Sequence, residues 1–360
     1  MKIAVNARWL LPGKLEGTGV YTLRMLKQII PAFPKYDFHL LLDRQFDTDP
    51  LGLDFPNLYY HVVLPPARHP WLWAMWNNWA VPQMLKRLNI ELYWSPDGLP
   101  AKTRITQWLT IHDLNFEHHP QWVPAPVAKY YRKNVKRGAK LAEKVFTVSH
   151  WSKDDIKATY GLPEEKISVT YNAPQRKFTP GTESNEETYF CAVGALTPRK
   201  NLKTLLLAFD KWCSENTKDF VNLRIAGAPH FSDPELKSVV DGLKHRDRIK
   251  WMGRLNDSEL EKLYRGAIAY CMPSAMEGFG IPLVEAMQCG TPVIASDNSA
   301  ITEVVADKGL LVPTYNVDAW ATALGRIQQE RTYWSALALE RGADFDWATS
   351  AQPWIDALKG

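Results

Sequence analysis

The residues best suited to chemistry lie in the second half of the chain. Glu277-Gly278-Phe279-Gly280-Ile281-Pro282-Leu283-Val284-Glu285-Ala286-Met287 sets two carboxylates around a glycine-rich turn. Pro282 suits the first turn of a helix and Gly290 its C-terminal cap, so the spacing predicts a helix over about Pro282–Cys289. Gly278 and Gly280 have no side chains, which opens backbone N–H groups before that helix to an anion or a sugar hydroxyl. Glu277 in the loop and Glu285 on the helix can accept hydrogen bonds from two sets of hydroxyls on one extended ligand. The plain alternative is a glycine turn before a buried helix, with two solvated carboxylates. Upstream, Gly194-Ala195-Leu196-Thr197-Pro198-Arg199-Lys200-Asn201 joins an apolar run to a helical one. Arg199 and Lys200 just before a helix suit a diphosphate, one as a forked donor and the other as a point charge. A solvated basic turn would look the same.

The first half holds weaker candidates. Glu16-Gly17-Thr18-Gly19-Val20-Tyr21 places Gly17 and Gly19 in a loop before a helix-like run Val20–Ile30. Ile111-His112-Asp113 ends an apolar run, where an active-site residue should project. His118-His119 invites a metal reading but lacks an evident carboxylate partner, and Asp47-Thr48-Asp49 lies in a polar segment that reads as a loop turn.

These residues need a scaffold, and the chain supplies short apolar runs alternating with helical ones. Lys2–Asn6, Phe38–Leu42, Leu58–Leu64, Ile90–Trp94, Trp108–Ile111 and Lys144–Val148 read as strands. After a connector over Pro174–Glu187 the alternation resumes with Tyr189–Gly194, Asn222–Ala226, Ile249–Met252, Ala269–Met272, Pro292–Ala295 and Gly309–Val312. Such alternation predicts an α/β protein of two facing, doubly wound, Rossmann-like parallel-sheet domains. The expected boundaries are 1–175 and 180–345, with a C-terminal helix over about 346–360 crossing back. The cleft between the domains is the default ligand site.

With 46% hydrophobic and 23% charged residues among 360, the chain is globular and neither disordered nor collagen-like. The net charge of +4 hides a split. Residues 1–180 carry 24 Lys and Arg against 15 Asp and Glu, and residues 181–360 carry 19 against 24. Cys191, Cys213, Cys271 and Cys289 form no CxxC pair, which argues against a zinc site or disulfides and fits a reduced, cytoplasmic protein. Neither a leader nor an apolar run long enough to span a bilayer is evident.

Lys129, Arg132, Lys133, Lys136, Arg137, Lys140 and Lys144 recur at helical spacing, opposite Val127, Tyr131, Val135, Ala139 and Ala142. Trp71, Trp73, Trp76 and Trp79 crowd one short segment, with the last three sharing a face if it is helical. Basic and Trp-rich helices together suit an anionic membrane surface; a charged solvated face and an aromatic core are the alternative. No nucleic-acid module accompanies them, so no nucleic-acid partner is expected.

The Glu277–Ser296 segment, reading E-G-F-G-x-P-x-x-E-A-M-x-x-G-x-P-V-I-A-S, resembles the signature of glycosyltransferase family 4, the retaining nucleotide-sugar transferases of GT-B fold. The resemblance implies that Glu285 binds ribose hydroxyls and Glu277 the donor sugar, with Gly278, Phe279 and Gly280 assisting through backbone amides. It gives Arg199 and Lys200 the donor diphosphate, Arg254 and Leu255 the nucleobase, and His112 the neighbourhood of the sugar. Gly17 and Gly19 match the loop that approaches the donor or acceptor. No metal or other cofactor is implied, and the nucleoside-diphosphate sugar (GDP-mannose or a UDP-sugar) is a co-substrate. The basic first half would then face a glycan or polyprenyl-diphosphate-linked acceptor, or the inner membrane surface carrying it, in bacterial-type surface polysaccharide synthesis. A GT-B phosphorylase, a sugar-nucleotide epimerase, a non-catalytic nucleotide-binding homologue or a membrane adaptor are the alternatives.

Overall fold

A computed structural model describes residues 1–13, 15–67, 69–181, 187–227 and 234–360. Residues 182–186 of the predicted connector lie outside the described residues. The chain divides into two compact units, Met1–Gln175 with Trp347–Gly360, and Arg176–Asp346.

The first unit carries a seven-stranded sheet of β1 (Lys2–Asn6), β2 (Asp37–Leu42), β3 (Leu58–Val62), β4 (Leu92–Ser95), β5 (Thr106–Thr110), β6 (Lys144–Thr147) and β7 (Ile167–Val169). Its order is β3-β2-β1-β4-β5-β6-β7, and each neighbouring pair is parallel. The central strands are apolar on both faces because helices cover both, as a parallel sheet requires. The order reverses between β1 and β4, and in such sheets that switch point is where ligands bind. Strand β7 is absent from the sequence-based expectation, since its three residues, Ile-Ser-Val, are too few to show a period.

The C-terminal helix Trp347–Lys359 belongs to this first unit. Its Trp354 is fully buried, with ring centroids 5.3 Å from Trp94 and 5.1 Å from Trp108. Trp347 Nε1 donates to the Pro174 carbonyl at 2.8 Å.

The tryptophan run 71–79 divides, against the expectation of one shared face. Helix Pro70–Met75 passes into one turn, Trp76–Ala80, widened to i→i+5 hydrogen bonding, before Val81–Arg87 resumes the α-helix. Steps of three residues already drift around a helix, and the wide turn adds to the drift. Trp73 and Trp76 are therefore buried, donating to Ala67 O and Val63 O, while Trp71 and Trp79 are more than half exposed. The basic helix spans Ala125–Leu141, so Lys144 is not on it but opens β6.

The second unit holds β8 (Thr188–Val193), β9 (Val221–Ala226), β10 (Ile249–Gly253), β11 (Tyr270–Met272), β12 (Val293–Ser296) and β13 (Leu310–Val312). All six coincide with expected apolar runs. They are parallel in the order β10-β9-β8-β11-β12-β13, with the switch point between β8 and β11. Phe190, Leu205, Leu206, Phe209, Trp212, Leu223 and Trp320 are among its core residues.

Candidate active site

In the second unit the loops after β8 and β11 meet at the switch point. Gly194 leaves β8 with φ +145° and Gly227 leaves β9 with φ +149°. A Cβ on Gly227 would lie 2.0 Å from the Gly194 carbonyl oxygen, so the two loops pass only because this position is glycine. Gly194 N–H donates to Ala226 O at 2.9 Å, which fixes the start of the loop. The loop then turns through Pro198–Lys200, and Asn201 adopts a left-handed conformation at φ 46° before helix Leu202–Glu215. Asn201 Nδ2 donates to Pro273 O and to Thr314 O, each at 3.0 Å, tying this turn to two others.

Arg199, Lys200 and Glu277 come together directly. Arg199 Nη1 donates to Glu277 Oε2 at 2.5 Å and to Met276 O at 2.8 Å. Lys200 Nζ donates to Glu277 Oε1 at 2.6 Å. Burial opposes ionisation of Glu277, but the charges of Lys200 and Arg199 and their hydrogen bonds outweigh it and hold the carboxyl at about 2. Ala275 N–H donates to Arg199 O at 2.8 Å, and Glu277 N–H donates to Ser299 Oγ at 3.0 Å. Asn298 completes the brace, donating to Ser274 O at 3.0 Å and Thr314 Oγ1 at 2.6 Å. Two cations around one carboxylate leave a net positive charge at the switch point, which suits a diphosphate.

Glu285 has a different partner. It lies on helix Ile281–Gln288 and accepts from Tyr264 Oη at 2.9 Å. Burial pushes its carboxyl up to about 7, against the Tyr264 hydrogen bond, which favours the ionised form. Gly280 begins the helix at φ +107°, a backbone that favours glycine. The Phe279 side chain is buried edge-on to Phe345 at 5.5 Å, so only its backbone is offered to a ligand. Arg254 and Leu255 follow the edge strand β10, and β9 separates that strand from β8. The shared carboxyl edge of the sheet places them on the same side as Arg199.

In the first unit His112 follows β5. Its Nε2 lies 2.9 Å from the Pro96 carbonyl oxygen, and its ring meets Tyr21 edge-on at 5.0 Å. Burial lowers the imidazole below its usual value, although the Pro96 carbonyl and the Asp113 and Asp97 charges act the other way. A carbonyl only accepts, so the neutral ring carries its proton on Nε2 and its lone pair on Nδ1. Gly17 and Gly19 are not in a loop as expected but inside the first turn of helix Gly17–Ala32. The helix starts early because Glu16 O already accepts from Val20 N–H at 3.0 Å. A Cβ on Gly17 would meet nothing within 4 Å, whereas one on Gly19 would lie 2.5 Å from Trp9 O. Gly19 thus serves close packing, and only Gly17 leaves space.

Residues 17–173 match the model of Glycosyltransferase Family 4, and residues 175–337 match Glycosyl transferases group 1. The O-antigen chain mannosyltransferase RfbU of Salmonella typhimurium is 32% identical over 276 residues, covering 76% of this chain and 75% of that one. The chain belongs to the group 1 glycosyltransferases. The O-antigen chain mannosyltransferase B of Escherichia coli is 28% identical to this glycosyltransferase, over 69% of each chain. Among solved structures, Anabaena Alr3699/HepE in complex with UDP-glucose superposes with a TM-score of 0.75 at 19% identity, covering 100% of this chain and 99% of that one. That likeness concerns the GT-B fold of the glycosyltransferase, two Rossmann-like units with parallel sheets.

Two motifs of the glycosyltransferase resolve into local structure. Asp47 Oδ1 accepts from Asp49 N–H at 3.1 Å, an exposed Asx turn. His118 does have a carboxylate partner, Asp155 at 2.7 Å, and His119 stacks on Trp122. Asn201, Tyr264, Asn298 and Ser299 escaped sequence reasoning, because their partners are distant in the chain. The Asn-Ser pair after β12 was the one visible signal.

Proposed function

We propose that this glycosyltransferase moves a hexosyl unit from a nucleoside-diphosphate sugar to a glycan or lipid-linked acceptor in surface polysaccharide synthesis, with retention of anomeric configuration. The observation that carries the reading is the Arg199–Glu277–Lys200 cluster at the switch point of the second unit. As the bond between C1 and the diphosphate breaks, negative charge grows on the leaving oxygen, and fixed cations there stabilise it without reorganising. The acceptor hydroxyl attacks C1 from the same face, and its proton passes to the departing phosphate. Arg199 and Lys200 supply that charge, so the proposal needs no metal ion; activity is expected to persist in EDTA. Glu285 accepts from ribose hydroxyls, Arg254 and Leu255 flank the base, and His112 offers Nδ1 toward the sugar.

The two O-antigen mannosyltransferases support a mannosyl donor, hence GDP-mannose, and the UDP-glucose complex supports a UDP-sugar as the second choice. Thermal stabilisation by GDP and not UDP, followed by transfer from GDP-mannose giving an α-linked product, is the expected result. Phosphorolysis, epimerisation without transfer, or a β-linked product from an α-donor would overturn the reading.

The acceptor carrier is proposed to be a membrane lipid. Lys129, Lys133, Lys136, Arg137 and Lys140 are exposed along helix Ala125–Leu141, whose end exposes Leu141. No helix among the described residues is long and apolar enough to cross a membrane. Binding to vesicles that rises with anionic lipid and falls with salt is expected at such a face.

A further inference from the structure

The first unit has a switch point of its own, between β1 and β4, and the proposed donor chemistry leaves most of it unused. The loop after β1 carries Arg8 and Trp9, and the turn after β4 carries Asp97. A cavity of about 350 Å³ opens there, lined among others by Trp9, Asp97, His112, Asp113, Asn115 and Tyr131. That volume falls in the range of small-molecule sites, ~300–1,000 Å³.

Asp97 organises the wall. Its Oδ1 accepts from Asn6 Nδ2 at 3.0 Å, Ser95 Oγ at 2.8 Å and Leu99 N–H at 3.2 Å. Its Oδ2 accepts from Arg8 Nε at 2.6 Å and from Trp9 Nε1 at 3.2 Å. The Arg8 guanidinium is buried, neutralised by Asp97, and sits 5.1 Å from the ring centres of both Trp9 and Trp73. Trp9 is thus pinned at its N–H and braced by a cation, yet remains 39% exposed. A large indole held rigid and left open at a cavity is a preformed stacking platform, with its ordering cost met in folding.

The lining also fixes the charge of the ligand. With Asp97 balanced by Arg8, the described lining residues add one further carboxylate, Asp113, and neither Lys nor Arg. A phosphate or diphosphate would meet repulsion there, whereas an uncharged ring with one apolar face and several hydroxyls meets an indole and hydrogen-bonding groups. We propose that this cavity seats an uncharged pyranose, the terminal sugar of the acceptor, stacked on Trp9. The inference rests on the transferase reading above and deepens it: acceptor recognition in the first unit is by sugar ring, and any acceptor diphosphate lies outside this cavity.

Saturation-transfer NMR on the full chain tests it, with methyl α-D-mannopyranoside, methyl α-D-galactopyranoside and N-acetylglucosamine as probes. At least one probe should show saturation concentrated on its ring protons. Trp9→Phe should keep this binding, while Trp9→Leu, which preserves apolar bulk without a π face, should weaken it roughly tenfold or more. Inorganic pyrophosphate should not displace the sugar. In transfer assays Trp9→Leu should raise the acceptor KM by more than it lowers kcat. Absence of binding by all three probes, unchanged binding in Trp9→Leu, or displacement by pyrophosphate would overturn the inference. Thermal stabilisation by nucleoside diphosphate reads the donor side separately: its absence in the unsubstituted protein would refute the transferase reading, while Trp9-dependent sugar binding is read on its own by the NMR experiment.

Discussion

Tyr264 Oη donates to Glu285 Oε2 at 2.9 Å, so a fully buried phenol steadies the one carboxylate at the proposed ribose site that burial drives toward protonation. Ribose hydroxyls donate, so they favour the ionised form of Glu285. Nucleoside diphosphate binding is therefore expected to release a proton, with affinity falling by up to about tenfold per pH unit below about pH 7. Tyr264→Phe should move the midpoint to higher pH, because it removes a hydrogen bond to the charged form. Glu285→Gln should flatten the profile, and calorimetric titration across pH measures all three.

Glu277 titrates in the opposite sense. Its carboxyl is held at about 2 against an ordinary 4.5, so the stability it contributes is present above about pH 4.5 and lost as pH falls through about 2. That amounts to about 3 kcal/mol at most. Glu277→Gln should flatten the acid limb of urea unfolding over that window. Lys200→Ala leaves Arg199 as the partner and should shift the limb to higher pH. In the transfer reaction Lys200→Ala is expected to lower kcat by roughly 10²–10³, the scale of losing one preorganised charge-stabilising group.

The glycines separate by their surroundings. Gly227→Ala would force a Cβ to 2.0 Å from Gly194 O and should destabilise the second unit severely, with loss of nucleotide binding. Gly19→Ala meets Trp9 O and should lower Tm. Gly17→Ala meets nothing within 4 Å, so Tm should hold; a fall in transfer activity alone would mark Gly17 as the glycine that a ligand approaches.

Trp76→Ala should cost about 3–5 kcal/mol of stability, as for other buried aromatics. Trp79→Ala, at a position 61% exposed, should stay within about 0.5 kcal/mol. If the first unit docks on vesicles, Trp71→Ala and Trp79→Ala should weaken that binding without moving Tm, as sedimentation with anionic liposomes would register.

Much of this protein was legible from local signals. The six strands of the second unit stand out because each is a short apolar run between helical ones, and a parallel sheet buried on both faces needs that composition. The helix Ile281–Gln288 announced itself through proline and glycine, whose backbone limits act within a few residues. Arg199, Lys200 and Glu277 were each visible as chemistry-bearing residues. Their convergence was not, since Lys200 and Glu277 stand 77 residues apart and meet only where sheet order brings the ends of β8 and β11 side by side.

Tertiary structure alone decided the rest. It separated Trp76 from Trp79 through one widened turn, and it moved Lys144 from the basic helix to a strand. It gave Glu285 a phenol and Glu277 two cations, so two carboxylates of one motif titrate in opposite directions. It also joined Arg8 and Trp9 to Asp97 across 89 and 88 residues, building a wall that no local pattern announces. Residue type and spacing determine which groups can do chemistry; charge state and partnership depend on burial and on long-range contacts, which exist only once the sheet has formed.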